Sequence, residues 1–115
     1  MKKSTIKQSI FTTENDLSKT QNTKEVIDNM VKALNDHRID DIGEFFSNQF
    51  NWFGNYGCGT KKGLKEFQDN WQKPFQEAFS DKVCIDEARL FEGEWGAAFG
   101  RQEAVHTGNF MGVSP

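Results

Sequence analysis

Histidine is the side chain best suited to proton transfer near neutral pH, and this chain contains two, His37 and His106. His106 is the first residue of the sequence HTGNF near the end of the chain, and this part of the chain is predicted to be a strand. An imidazole in a pocket can exchange a proton with the carbon beside a carbonyl group. The alternative is that His106 only hydrogen-bonds the sheet or lines an inert cavity. Because of its proton-transfer chemistry, His106 is the candidate catalytic residue.

Other reactive groups offer weaker chemistry. Cys58 and Cys84 are the only cysteines, and with the two histidines they show no recognisable zinc spacing. Cys58 has no base close to it in sequence, so we do not expect a nucleophile there. Asp40 and Asp41 are adjacent and point to different sides, which favours a solvated helix start over an acid/base pair. We therefore expect no metal and no cofactor.

The aromatic side chains predict a hydrophobic pocket. The 115 residues include 11 Phe, 3 Trp and 1 Tyr, and each large ring can bury about 150–250 Å². The predicted pocket residues are Trp52, Tyr56, Trp71, Phe75 and Phe110, together with Gln102. Gln102 shares a predicted strand face with His106 and could donate a hydrogen bond to a ligand carbonyl. For Trp71 and Phe75, plain core packing is the alternative.

Helices are predicted in the first two thirds of the chain. Residues 1–21 are polar and without sustained periodicity, which predicts a flexible arm, and residues 22–115 form one domain. Asn22 can cap a helix over about 23–37, where apolar residues recur at helical spacing. A shorter helix is expected from Ile39.

A third, aromatic helix is predicted after a short strand and a glycine-rich loop. Thr60 is its expected cap, and apolar residues then step by three or four from Leu64 to Ala78. Pro74 lies inside this helix and lacks the N–H needed for one backbone hydrogen bond. We expect a kink near residues 70–74.

Antiparallel strands are predicted for the last third. The segment KVCIDEARLFE, residues 82–92, changes its apolar phase between Ile85 and Ala88, which is typical of a β-bulge. A turn at residues 92–94 should lead into a return strand, and NFMGV, residues 109–113, would continue that strand or form the next one. Helices on one side of a curved antiparallel sheet define an α+β fold.

Charge and hydropathy exclude two classes of partner. The formal net charge is −3 and the basic residues are scattered, whereas a nucleic-acid-binding protein needs a basic face. No segment approaches the ~20 apolar residues of a membrane span, and residues 1–24 lack the apolar region of a secretory signal. We therefore expect a cytoplasmic protein without nucleic-acid or membrane partners.

Two segments resemble the SnoaL-like polyketide cyclase family of the NTF2-like superfamily. They are GLKEFQDNWQKPFQEAFSD, residues 63–81, and GRQEAVHTGNFMGVSP, residues 100–115. The resemblance implies a cone of helices on a curved sheet and a cofactor-free intramolecular aldol closure assisted by His106. The family's acid/base aspartate cannot be mapped onto this chain. The family's domain normally continues beyond the position of Pro115, so we expect that C-terminal strands of the cone are missing here.

Two functions remain open at this point. The first is a cofactor-free cyclase or isomerase that acts on a small hydrophobic carbonyl compound. The second is a non-enzymatic NTF2-like module that binds an apolar ligand or dimerises. An unpaired apolar strand edge invites pairing with another chain, so a homodimer is expected in either case.

Overall fold

The computed structural model of the chain describes residues 14–115, and its side chains from Leu17 onward. Its elements in chain order are helix α1 (Glu14–Asn35), a 3-10 helix (Ile39–Phe45), strands β1 (Asn51–Phe53) and β2 (Thr60–Lys62), helix α2 (Leu64–Phe67), a π-helical turn (Gln68–Gln72), helix α3 (Lys73–Ala78), and strands β3 (Val83–Glu92) and β4 (Trp95–Glu103). Helices pack on an antiparallel hairpin, so the predicted α+β class is confirmed.

Helix α1 begins at Glu14, so the predicted start at Asn22 is wrong and part of the predicted arm is helical. The cause is a tertiary contact. The Thr23 hydroxyl donates to the carbonyl oxygen of Gly93 at 2.6 Å, and the Gly93 N–H donates to the Thr20 hydroxyl at 2.7 Å. These bonds fix the first half of α1 against the distant β3–β4 turn. Residues 1–13 of the predicted arm lie outside the described residues.

The first core contacts form between α1 and the 3-10 helix, which confirms the short second helix. Ala33 of α1 and Ile42 of the 3-10 helix are almost completely buried. Further along the chain, Phe67 and Ala78 are buried at the two ends of the α2–α3 segment. The core is small because most other apolar side chains are only half-buried.

The glycine-rich segment forms a second, smaller hairpin. Strand β1 pairs antiparallel with β2, with Asn51 opposite Lys62, so the predicted short strand is confirmed and gains a partner. Thr60 lies in β2 and is not a helix cap, which corrects the prediction. The helix begins at Leu64, directly after Gly63, whose φ of 84° favours glycine.

The disturbance expected from Pro74 is present as a π-helical turn. The Lys73 N–H donates to the carbonyl oxygen of Gln68, five residues back, where an α-helix would bond four residues back. Pro74 follows immediately and has no N–H to continue the regular pattern. The turn sets the rotation of Trp71 and Gln72 relative to the residues before it.

The main hairpin joins β3 and β4 with the predicted bulge. Asp86 pairs with Gly100 and Ala88 pairs with Phe99, so Glu87 is the extra residue. A Cβ on Gly100 would lie 2.0 Å from the carbonyl oxygen of Ile85, so only glycine fits opposite the bulge.

The chain leaves the sheet at Glu103, which corrects two predictions about its end. The Val105 N–H donates to the Asp81 carboxylate at 2.8 Å, and the Thr107 N–H donates to the Ala78 carbonyl oxygen at 2.8 Å. These partners replace a strand neighbour, so the alternation of faces does not extend to His106. Residues 109–113 form a tight turn closed by Phe110 and Val113, not a strand.

Helix α1 is fixed to the hairpin by side-chain contacts at two points. The Asn35 amide donates to the Cys84 carbonyl oxygen at 3.1 Å and accepts from the Cys84 N–H at 2.8 Å. About two turns earlier in the helix, Asp28 pairs with Arg89, which also pairs with Asp86 at 2.7 Å. These contacts fix the position of α1 relative to β3.

Candidate functional site

A cavity of about 670 Å³ lies between α1, the α2–α3 segment and the main hairpin. Small-molecule sites commonly fall between about 300 and 1,000 Å³. Every layer of the fold contributes to its wall. The lining side chains are Ile27, Met30, Leu34, Ile42, Phe46, Trp52, Asn55, Phe67, Trp71, Gln72, Phe75, Gln76, Lys82, Cys84 and Gln102.

One side of the cavity is a wall of stacked rings. Trp52 stacks on Trp71 with centroids 4.6 Å apart, and Trp71 stacks on Phe75 at 5.4 Å with an interplanar angle of 14°. Phe67 closes the inner end at 5.8 Å from Trp52. Three stacked rings in series give the cavity a continuous apolar wall, which suits an apolar ligand.

Buried polar groups lie against this wall. Gln72 is 6% exposed, and neither its amide nitrogen nor its amide oxygen has a hydrogen-bond partner. Gln76, also buried, places its amide nitrogen 3.1 Å from Nδ1 of His37. Lys82 is 5% exposed, and its Nζ lies 3.5 Å from the Cys84 sulfur. Within residues 17–115 no carboxylate pairs with Lys82.

The structure brings four of the predicted pocket residues together. Trp52, Trp71, Phe75 and Gln102 all line the cavity. Their role as substrate-binding residues stays a prediction.

Two predicted pocket residues lie elsewhere. Tyr56 is fully exposed in the β1–β2 loop, which corrects the expectation that it lines this pocket. Phe110 packs edge-on against Trp71, with centroids 5.6 Å apart, and lines a separate cavity of about 260 Å³ with Cys58 and Lys61. The Trp71 side chain separates the two spaces.

His106 lies one aromatic layer behind the main cavity. Its ring stacks on Phe79 at 4.9 Å, and Phe79 contacts Phe75 at the same centroid distance. The Nε2 atom of His106 is buried and has no hydrogen-bond partner. His106 and Gln102 therefore do not share a face, and of the two only Gln102 lines the cavity. The catalytic role of His106 stays a prediction.

Gln72, Gln76 and Lys82 are site residues that sequence reasoning missed. A signal was present, because the pairs Trp71–Gln72 and Phe75–Gln76 repeat at a spacing of four residues. Residues four apart lie above one another on a helix, so the two rings form one row and the two amides form a row beside it. Polar residue types are usually exposed, so their burial is not indicated by the sequence alone.

The groups with shifted pKa lie outside the cavity. The hydrogen bond from Lys24 and the neighbouring Arg89 lower the pKa of Asp28. The hydrogen bonds that the Arg89 guanidinium donates to the carboxylates of Asp86 and Asp28 raise the pKa of Arg89. These pKa shifts arise from the ion pairs that join α1 to β3. They therefore concern the stability of the fold more than the chemistry of the cavity.

Residues 14–115 contain no group of three or more His, Cys, Asp or Glu side chains arranged to hold a metal ion. No helix in that range is long and apolar enough to cross a bilayer.

Comparison with known proteins identifies the fold family. The family model described as SnoaL-like polyketide cyclase matches residues 24–115, which is most of the chain. This family is part of the NTF2-like superfamily. No curated protein and no solved structure matches the chain significantly.

Proposed function

The chain belongs to the SnoaL-like polyketide cyclase family, and we propose that it binds a small hydrophobic carbonyl compound in the ring-lined cavity. The observation that carries this proposal is the cavity of about 670 Å³ with stacked rings on one side and buried amides beside them. Rings supply apolar contact and amides fix the orientation of a carbonyl group, which is the usual division of labour in a ligand site.

The proposed reaction is cofactor-free cyclisation or isomerisation. A base removes a proton from the carbon beside a carbonyl group, and the resulting enolate either attacks a second carbonyl or is reprotonated elsewhere. In the cyclisation, a carbon–carbon bond forms and the proton returns to the new alkoxide oxygen. His106 is the proposed acid/base residue: its buried Nε2 has no partner among residues 17–115, and because Phe79 and Phe75 lie between its ring and the cavity, proton transfer requires these two rings to move aside.

Binding and proton removal can be tested with one neutral probe, 2-acetonaphthone. Titration should quench tryptophan fluorescence saturably, because Trp52 and Trp71 line the cavity. In D₂O, NMR should show exchange of the probe's methyl protons faster than in buffer, and His106→Asn should remove most of that acceleration. A non-saturable titration would contradict the binding proposal, and unchanged exchange in His106→Asn would exclude His106 as the base.

The second candidate function is that of a non-enzymatic, dimeric module. The exposure of strand β4 favours it. Every residue of β4 is exposed, including Trp95 and Phe99, and among the described residues β3 is the only strand that pairs with it. An open apolar edge of this length favours pairing with a second copy of the chain. We therefore propose a homodimer through β4.

Sedimentation velocity tests the dimer. The wild type should sediment as a dimer at micromolar concentration, and Phe99→Lys should shift it to a monomer. Phe53→Lys is the matched control, because Phe53 is also exposed but lies in the small hairpin. A monomeric wild type would overturn the proposal.

The cytoplasm is the proposed compartment. Cys58 and Cys84 are both free thiols, and such thiols persist in a reducing compartment. Fractionation of the source cells would test this directly.

A further inference from the structure

We infer that the ligand of this cavity carries an anionic oxygen, a carboxylate or an enolate, which Lys82 and Gln72 hold against the ring wall. The inference rests on the proposed ligand-binding function and specifies the chemistry of the ligand. The inference rests on three features of the cavity lining. A pocket that only bound an aromatic ring would need none of them.

The first feature is the charge of Lys82. Its side chain lies at the start of β3 and is 5% exposed, and within residues 17–115 it has no carboxylate partner. Its two contacts are the Cys84 sulfur at 3.5 Å and the Phe75 ring, whose centroid is 5.8 Å from Nζ. A thiol is a weak acceptor and a ring face compensates only part of a buried charge. An anion in the cavity would complete the compensation.

The second feature is the amide of Gln72. It is buried against the same cavity with both polar atoms unpartnered, a rare condition for a buried side chain. Its nitrogen can donate to an oxygen of the ligand, and its oxygen can accept from a ligand hydroxyl. The π-helical turn ends at Gln72 and rotates this amide toward the cavity.

The third feature is the sign of the lining. Among the residues that line the cavity, Lys82 is the only basic side chain, and no carboxylate is present. The potential inside is therefore positive, and a low-dielectric wall strengthens it. Such a site favours an anion over a neutral molecule of the same shape. In the proposed aldol chemistry, the same pair would stabilise the oxygen of the enolate.

Isothermal titration calorimetry with two probes of matched shape tests this inference. The probes are 2-naphthoate, which is anionic, and 2-acetonaphthone, which is neutral. The wild type should bind 2-naphthoate at least ten-fold more tightly. Lys82→Met should remove that preference, and Lys82→Arg should retain part of it. Lys62→Met is the control, because Lys62 is exposed in β2 and should leave both affinities unchanged.

The outcomes separate this inference from the proposed function. Equal binding of both probes by wild type and Lys82→Met would overturn the anion inference and leave ligand binding intact. Binding of neither probe would overturn both. Near-UV circular dichroism of each variant checks its fold, and Gln72→Leu gives a second route, since it should weaken 2-naphthoate without removing the charge.

Discussion

The ammonium nitrogen of Lys82 lies 5.8 Å from the centroid of the Phe75 ring, across the gap between β3 and α3. This contact places the charged group of the cavity lining against the end of the stacked-ring wall. Phe75 continues that wall through Trp71 to Trp52. The arrangement couples an apolar wall of rings to a buried positive charge, and it accounts for the proposed choice of ligand.

Replacing Lys82 should stabilise the ligand-free protein. A buried ammonium without a carboxylate partner costs free energy that methionine, of similar length, does not. We expect Lys82→Met to raise the free energy of unfolding by roughly 1 kcal/mol or more, measured by urea denaturation without ligand. Lys62→Met should change it little. A marked loss of stability in Lys82→Met would show that Lys82 serves the fold and not a ligand.

Replacing Asn35 should loosen α1 from the sheet. Its amide both donates to and accepts from the backbone of Cys84, like a neighbouring strand. Asn35→Ala removes two hydrogen bonds, and we expect a loss of roughly 1–3 kcal/mol in the free energy of unfolding. Asn29→Ala on the exposed side of the same helix is the control and should be close to neutral. Equal effects of the two changes would contradict this role.

The pairing of Asp28 predicts an acid-sensitive contact between α1 and β3. Lys24 and Arg89 lower the pKa of Asp28 below its usual 3.8, so the folded state binds the proton less readily than the unfolded state. The resulting stabilisation is present above pH 3.8 and disappears as the pH falls through the lower, folded value. Asp28→Asn should therefore be less stable than wild type at pH 6, and the difference should vanish in strong acid.

Thermal unfolding at a series of pH values measures this difference. Glu94→Gln serves as the control, because Glu94 lies in the exposed β3–β4 turn and forms no ion pair with the described residues. A difference between wild type and Asp28→Asn that persisted unchanged at pH 2 would contradict the assignment.

Gly100 should tolerate no side chain. A Cβ there would overlap the Ile85 carbonyl oxygen, a backbone atom held in place by the bulge. We expect Gly100→Ala to cost about 2 kcal/mol or more in unfolding free energy. Gly96→Ala on the same strand is the control, because the atom it meets, 3.1 Å away, belongs to the Phe91 side chain and can move. Similar stability of the two variants would argue against the bulge geometry.

Local sequence patterns predicted those structural features that are determined by residues close together in the chain. The change of apolar phase in residues 82–92 predicted the bulge, and Pro74 predicted a disturbed helix, because each effect is caused by the residues at that position. The start of α1 was not predictable in this way. It depends on Thr20 and Thr23 meeting Gly93, about seventy residues later in the chain.

The sequence predicted the aromatic residues of the candidate site but not its buried polar residues. Trp71 and Phe75 follow the helical period, so their shared face could be read from spacing. Gln72 and Lys82 belong to types that are normally solvated, and only the tertiary fold buries them. His106 lies behind Phe79 because Asp81 and Ala78 divert the chain from the strand, a long-range effect without a local pattern.

The most direct measurement follows the side-chain NH₃⁺ resonance of Lys82 by NMR while 2-naphthoate is added. The resonance is assigned by its absence from Lys82→Met. The account predicts that it shifts saturably with 2-naphthoate, follows the affinity measured by calorimetry, and responds much less to 2-acetonaphthone. Saturable binding of 2-naphthoate with an unchanged Lys82 resonance would contradict the account.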